Sequence, residues 1–221
     1  MDTIQDLFDL SHTLAGDYLG RFTYPWEALP GIRDMIRALI AQLDPEQYRQ
    51  TAPEVWVHNT AAVAPTAFLA GPTVIGADTE VRHCAYIRGP ALVGRGCVVG
   101  NSAELKNVIL FDGVQTPHYN YVGDSILGYK AHMGAGSITS NVKSDKSPVV
   151  IHGDREIATG LKKVGAMLGD FAEIGCNSVL NPGTVVGRNA SVYPLSSVRG
   201  SVPAGSIYKT GGVIVPRQEA R

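Results

Sequence analysis

The chain has 221 residues, with nineteen Lys and Arg against twenty Asp and Glu and a formal net charge of -1, so a broad nucleic-acid or anionic-membrane surface is disfavoured and only a local basic groove remains open. Charged residues are 18% of the chain while Gly (25) and Pro (13) are frequent, a composition of many turns that excludes a coiled coil. The length suits one compact domain with a small appendage, not two large catalytic domains. No apolar run is long enough to span a bilayer and the opening residues lack a secretion pattern, so the expected location is the cytoplasm. Cys84, Cys97 and Cys176 form no CxxC pair and are expected as reduced thiols.

Residues 1–50 read as a helical arm or cap. Thr3 to Leu10 predicts a short helix, and a longer one is expected to begin near Pro30 and stop before Pro45. Ile32, Met35, Ile36, Leu39 and Ile40 return at spacings of three and four and give that helix one apolar stripe. Trp26, Tyr48 and Trp56 are large rings suited to anchoring the arm, or to ordinary packing.

From residue 63 a different period takes over. Val63, Leu69, Ile75, Val81, Ile87, Val93, Val99, Leu105 and Phe111 are spaced by six without a miss. Small residues, Ala67 to Ala103, occupy the position four further on, where a tight corner would exclude bulk. The period returns at Leu127, Met133 and Thr139, and again from Leu168 through Ile174, Leu180, Val186 and Val192 to Val198. Hexapeptide repetition is a signature of β-helices, whose rungs bury an inward residue against the rungs above and below. The pattern resembles the left-handed parallel β-helix with about eighteen residues per turn. The expected fold is therefore all-β, a left-handed parallel β-helix over 51–206 with a short N-terminal helical arm and a tail at 207–221. A β-sandwich would show irregular spacing and two-period faces instead.

Two departures interrupt the period. Phe111 to Leu127 is sixteen residues instead of twelve, so a loop is expected near 112–124, and a second near 142–165. Loops ejected from a rigid solenoid are natural carriers of binding groups.

The first break and its sequel read His118-Tyr119-Asn120-Tyr121-Val122-Gly123-Asp124, then Met133-Gly134-Ala135-Gly136-Ser137-Ile138-Thr139-Ser140-Asn141. With Arg88-Gly89-Pro90 and Gly100-Asn101 through Glu104-Leu105-Lys106 upstream, residues of about 60–205 resemble the acetyltransferase domain of the bifunctional UDP-N-acetylglucosamine pyrophosphorylase/glucosamine-1-phosphate N-acetyltransferase family. The resemblance does not extend to that family's nucleotidyltransferase domain.

The resemblance implies transfer of an acetyl group from acetyl-CoA, as cosubstrate, to an amino-sugar 1-phosphate, with glucosamine-1-phosphate as the leading acceptor. His118 is implied as the base for the amine proton, and imidazole is the side chain whose reference pKa lies near neutrality. Glu104 matches an acid that would orient or polarise a base. Arg88 and Lys106, eighteen residues apart and each following a large repeat residue, should stand one above the other as a phosphate patch. Tyr121 and Asn141 match residues that contact the sugar phosphate or the amino sugar, and Lys146 lies near a phosphate-binding lysine. Ala135, Cys176 and Pro194 fall at or near positions lining the coenzyme groove, Cys176 as a corner filler and not as a nucleophile. His132 stands where the family has an asparagine toward the substrate, and 152–165 replaces a shorter connection. Arg155, Lys162 and Lys163 in it either meet coenzyme phosphates or decorate a loop.

The implied partners are the sugar phosphate, acetyl-CoA and two further copies of the chain as a homotrimer, with a separate nucleotidyltransferase open as a partner of residues 1–50. Neither nucleic acid nor a membrane is expected, nor a tightly bound metal. Two other readings stand beside this one: a nonenzymatic sugar-nucleotide-binding or assembly module, and a zinc enzyme of the γ-carbonic-anhydrase type using His83, His118 and His132, whose close histidine pair is absent here.

Overall fold

The computed structural model describes residues 1–218. The repeat folds as a left-handed parallel β-helix of triangular section, three short strands to the turn. The first wall climbs through Ala62–Val63, Glu80–Val81, Val98–Asn101, Gln115–His118, His132–Met133, Glu173–Ile174 and Ser191–Val192. The second climbs through Phe68–Leu69, Tyr86–Ile87, the start of Glu104–Leu110 and of Tyr121–Leu127, then Ile138–Thr139, Val179–Leu180 and Ser197–Val198. The third contains Val55–His58, Thr73–Ile75, Ala91–Val93, the ends of Glu104–Leu110 and Tyr121–Leu127, then Ala166–Leu168, Thr184–Val186 and Ser201–Val202.

Each repeat residue lies on its counterpart in the next turn. Ile75, Val93, Leu110, Leu127, Leu168 and Val186 form one such stack, all fully buried. Burying one side chain of this kind is worth about 1.5–3 kcal/mol, and no rung can collect that alone.

The first break is not an ejected loop. Gln115–His118 and Tyr121–Leu127 continue the walls, and one residue is lost on each of two rungs, at the turn from the second wall to the third. Gly89-Pro90 separates Arg88 from Ala91, whereas Asn107 alone separates Lys106 from Val108, the partner of Ala91. Asp124 alone makes the same turn one rung higher, before Ser125. Both sit at positive φ, 55° and 49°, a conformation that Asn and Asp tolerate better than most residues. The inward register therefore shifts from Phe111, the expected repeat residue, to Leu110. Phe111 is equally buried but meets Phe8 of the arm, ring centroids 5.0 Å apart.

The second break is a true excursion. Thr139 pairs with Leu180 across it, and it carries a small antiparallel pair, Val150–Ile151 with Ile157–Ala158. Its Val149, Ile151 and Val164 are fully buried, so it lies folded against the prism.

The arm covers a wall. The helix Ile32–Ile40, with Ile32 and Ile36 buried, packs on the third-wall strands Thr73–Ile75, Ala91–Val93 and Glu104–Leu110. It starts two residues after Pro30, which lies in the preceding 3-10 turn Pro25–Gly31. The opening helix is only Ile4–Leu7, begun by a capping box between Thr3 and Asp6. Asp170 fastens the arm by accepting from Asp9 N–H (2.7 Å) and giving its own N–H to Leu7 O (3.0 Å). At the far end, Ser206–Tyr208, at the boundary of the expected β-helix, pairs antiparallel with Ile214–Pro216 in the stretch expected as a tail, whose last residues, 219–221, lie outside the described residues. Among the described residues no helix is long and apolar enough to cross a membrane.

Candidate functional site

The edge between the first and second walls is built from a repeated backbone conformation. Cys84, Ser102, Tyr119, Gly136, Asn177 and Leu195 occupy it on successive rungs, each with φ between 51° and 71°. Immediately before them stand His83, Asn101, His118, Ala135, Cys176 and Pro194. Backbone bonds fix this second row: Tyr119 N–H donates to Asn101 O (2.8 Å), Gly136 N–H to His118 O (2.9 Å), Asn177 N–H to Ala135 O (2.8 Å), and Leu195 N–H to Cys176 O (2.9 Å). His118 thus lies one rung below Ala135, followed upward by Cys176 and Pro194. At the usual strand spacing these four span about 14 Å.

His118 ends a strand and does not ride on a loop. Its backbone is held by Asn120, a buried residue whose Oδ1 accepts from His118 N–H (3.0 Å) while its Nδ2 donates to Gly134 O (2.9 Å) and Ser137 O (3.1 Å). The imidazole itself is exposed and makes no hydrogen bond among the described residues. Nothing in the repeat singles out Asn120, although its place two residues after His118 in the corner is where such a bracket would be sought.

Past the corner, Glu104 lies under Tyr121 in register, and Arg88 and Lys106 each follow the inward residue of their rung on the second wall. Each cation has its own carboxylate. Arg88 Nη1 donates to Glu104 Oε1 (3.0 Å). Glu104 therefore meets Arg88, not a base, and the Arg88 guanidinium is pushed further up by that hydrogen bond. Lys106 Nζ reaches both oxygens of Asp124, 2.9 and 2.8 Å away. Asp124 also accepts from Asn107 Nδ2 (2.9 Å) and from Asn141 Nδ2, which donates in addition to the Tyr121 hydroxyl (3.2 Å). Burial pushes the Tyr121 phenol up, so it remains a neutral donor. Asp124, unassigned in the motif that contains it, is the centre of this network.

His132 stands on the outer face of the first wall, over Gln115 and under Glu173. Its Nδ1 lies 3.0 Å from Glu173 Oε2, in a cleft shared with Lys130. It is three residues before the edge and directed at a carboxylate of its own wall. Lys146 is exposed on the excursion, in a turn whose N–H donates to Lys143 O. Arg155 is bound by the Tyr24 hydroxyl of the arm, while Lys162 and Lys163 are exposed. His83 and His118 share the edge row two rungs apart with Asn101 between them, and His132 is on the wall.

No family model matches the chain. It is 30% identical over 135 residues to the bifunctional protein GlmU of Methanococcus maripaludis strain C5, covering 61% of this chain and 33% of that one. It is 28% identical over 174 residues to the bifunctional sugar-1-phosphate nucleotidylyltransferase/acetyltransferase of Sulfurisphaera tokodaii, covering 70% and 43%. The chain thus spans less than half the length of these relatives. Among solved structures, the polySia specific acetyltransferase NeuO is 14% identical with a TM-score of 0.43, covering 76% of this chain and 84% of that one. The chain is a hexapeptide-repeat β-helix protein related, at modest identity, to GlmU-like bifunctional proteins.

Proposed function

We propose that the protein is an acetyl-CoA-dependent N-acetyltransferase acting on an amino-sugar 1-phosphate, most simply glucosamine-1-phosphate. The observation that carries this reading is the row His118, Ala135, Cys176, Pro194 along one edge, with Arg88, Glu104 and Tyr121 just past the corner. A thioester arm laid along the small residues of the row would bring its acyl end down to the level of His118, beside the wall that carries the cations. The Sulfurisphaera tokodaii relative is a bifunctional sugar-1-phosphate nucleotidylyltransferase/acetyltransferase, and this chain spans 43% of it.

In the reaction, the amine lone pair forms the new N–C bond at the thioester carbonyl. The C–S bond breaks, the thiolate leaves, and His118 takes the proton released from nitrogen. The open imidazole suits this role because its ring nitrogens are not committed to the protein. Asn120 confines its backbone, so the ring is presented from a rigid strand end and not from a mobile loop. Ala135 N–H makes no hydrogen bond among the described residues, which leaves it free to face the oxyanion.

The two cations divide the phosphate work unequally. Arg88 is half-exposed and bound to one carboxylate by a single bond, an ion pair that water already weakens and a phosphate can displace. Lys106 is committed to Asp124 and gives that corner its shape. Tyr121 and Asn141 would present their remaining hydrogen-bonding capacity to the sugar. A homotrimer, with clefts between parallel prisms, belongs to this proposal, as does a separate nucleotidyltransferase that would use the product.

The decisive experiment supplies acetyl-CoA and glucosamine-1-phosphate, follows free thiol, and repeats the assay with His118→Ala. Turnover that disappears in the variant supports the reading. The carboxylate on each cation favours a second reading, a sugar-phosphate-binding module without chemistry, and saturable binding with no thiol release would establish that instead.

A further inference from the structure

A cleft of about 440 Å³ opens where the excursion 141–164 folds back over the upper rungs. One side is the outer row of the second wall, in which Lys106, Gly123, Ser140, Asn181 and Arg199 succeed one another. The other side is the excursion, contributing Lys143, Asp145 and His152. Arg199 lies four rungs above Lys106, about 19 Å at the usual strand spacing, so the guanidinium end of the cleft stands apart from the cation patch described above, which the Ser140 end approaches to within two rungs.

The charge state of that row changes along its length. Arg88 and Lys106 each hold a carboxylate, whereas among the described residues Arg199 holds none. Its Nη2 lies 3.3 Å from His152 Nε2, and His152 Nδ1 lies 2.9 Å from Glu156 Oε1. A proton on Nδ1 serves Glu156 and leaves Nε2 as an acceptor, so the imidazole aims the guanidinium without cancelling its charge. On the facing side Lys143 Nζ donates to Ser147 Oγ (2.6 Å) and stands 3.6 Å from Asp145, which is itself occupied by Ser147.

This arrangement is built, not draped. Ser201 Oγ donates to His152 O (3.0 Å), the chain's amino terminus pairs with Asp154 (2.7 Å), and Val149 and Ile151 are fully buried beneath. At Gly200, φ is +85° and a Cβ would lie 3.0 Å from His152 O, so glycine permits the close approach.

We propose that this cleft binds a phosphate group, with Arg199 as its directional fork, Lys143 as the facing charge and the Ser140 and Ser144 hydroxyls as further donors. Donors arriving from the second wall and from the facing excursion match the several terminal oxygens of a phosphate better than the two of a planar carboxylate. The phosphate is either free or part of a larger molecule: the coenzyme's own phosphates or those of a nucleotide-linked acceptor. The site stands on its own geometry, whether or not the acetyl transfer proposed above takes place.

The test is calorimetric titration of inorganic phosphate into the full chain at low ionic strength. Saturable binding is expected, weakened at least tenfold by Arg199→Gln and unaltered by Arg33→Gln, which changes an exposed arginine of the helix Ile32–Ile40. Absence of saturable binding, equal binding in Arg199→Gln, or loss in Arg33→Gln overturns the proposal. Should Arg199→Gln fail to fold, Lys143→Gln on the excursion must weaken phosphate at least threefold, and unchanged binding there overturns it as well. With binding established, displacement of phosphate by adenosine 3′,5′-bisphosphate supports the site with the coenzyme as its source, and displacement by uridine diphosphate supports it with a nucleotide-linked acceptor. Displacement by neither supports a free-phosphate site. The readout is binding and not thiol release, so failure of this proposal and failure of the transferase reading are separate results.

Discussion

Lys106 and Asp124 are 18 residues apart in the chain and one rung apart in the prism, with the ammonium 2.9 and 2.8 Å from the two carboxylate oxygens. Their side chains are only 22% and 6% exposed, and Asn107 and Asn141 fill the remaining acceptor sites of the carboxylate. A buried pair so completely bonded is costly to break from one side, because the survivor keeps its charge without compensation.

Asp124→Ala should therefore destabilise the protein by about 3 kcal/mol, the lower end of the range for breaking a buried pair, since Lys106 retains some water. Asp124→Asn should cost less, because one oxygen remains for Lys106. Denaturant midpoints of the two variants check the order.

Arg88 behaves oppositely. Arg88→Ala removes an exposed ion pair and should leave the melting temperature unmoved. In the thiol-release assay it should raise KM for the sugar phosphate about tenfold, the scale of one charge-assisted hydrogen bond. A fall in melting temperature with KM unchanged would assign Arg88 to structure instead.

Bulk on the edge row should obstruct the thioester. Cys176 is exposed, so Cys176→Trp can fold, and KM for acetyl-CoA should rise about tenfold or more while KM for the sugar phosphate stays within about twofold, as expected of a steric change confined to one site.

Cys97 and Cys84 should differ in chemistry. Burial pushes the Cys97 thiol up to about 12 from 9.0. Below pH 9 both folded and unfolded chains keep this proton, so its stability contribution is complete. Between pH 9 and about 12 the unfolded chain loses the proton first and stability falls. Cys97→Ala should flatten that alkaline decline in denaturant midpoints. Cys84 Sγ is exposed and 3.1 Å from His83 Nε2, whose Nδ1 lies 2.7 Å from Thr66 Oγ1. Iodoacetamide should label Cys84 first and Cys97 only on unfolding, read by peptide mass mapping.

The arm should be integral to the third wall. Phe8→Ala empties the space against Phe111 and should cost about 3–4 kcal/mol, measured by thermal melting.

Much of this architecture is legible in residue spacing, because stacked rungs impose a period on every inward position. Val63 through Leu105 count off the turns without ambiguity. Resemblance, not periodicity, pointed to Ala135, Cys176 and Pro194 as companions of His118, and the backbone bonds join all four in one row. The count misleads at Phe111, where a run of sixteen residues implies a bulge although two corners have each lost one residue. A sum over an interval cannot distinguish extra residues in one rung from missing residues in two, since both shift the next apolar residue off the period.

The sequence alone determined that the six-residue repeats must stack and that the helical arm carries a stripe needing cover, because both follow from which residues recur at which interval. Only the tertiary structure decided that Glu104 answers Arg88, that Asp124 holds Lys106, and that His132 turns to Glu173. Those choices depend on side chains from different rungs meeting at a few ångströms. Single-residue corners at Asn107 and Asp124 set that register, and no local pattern of charges contains it.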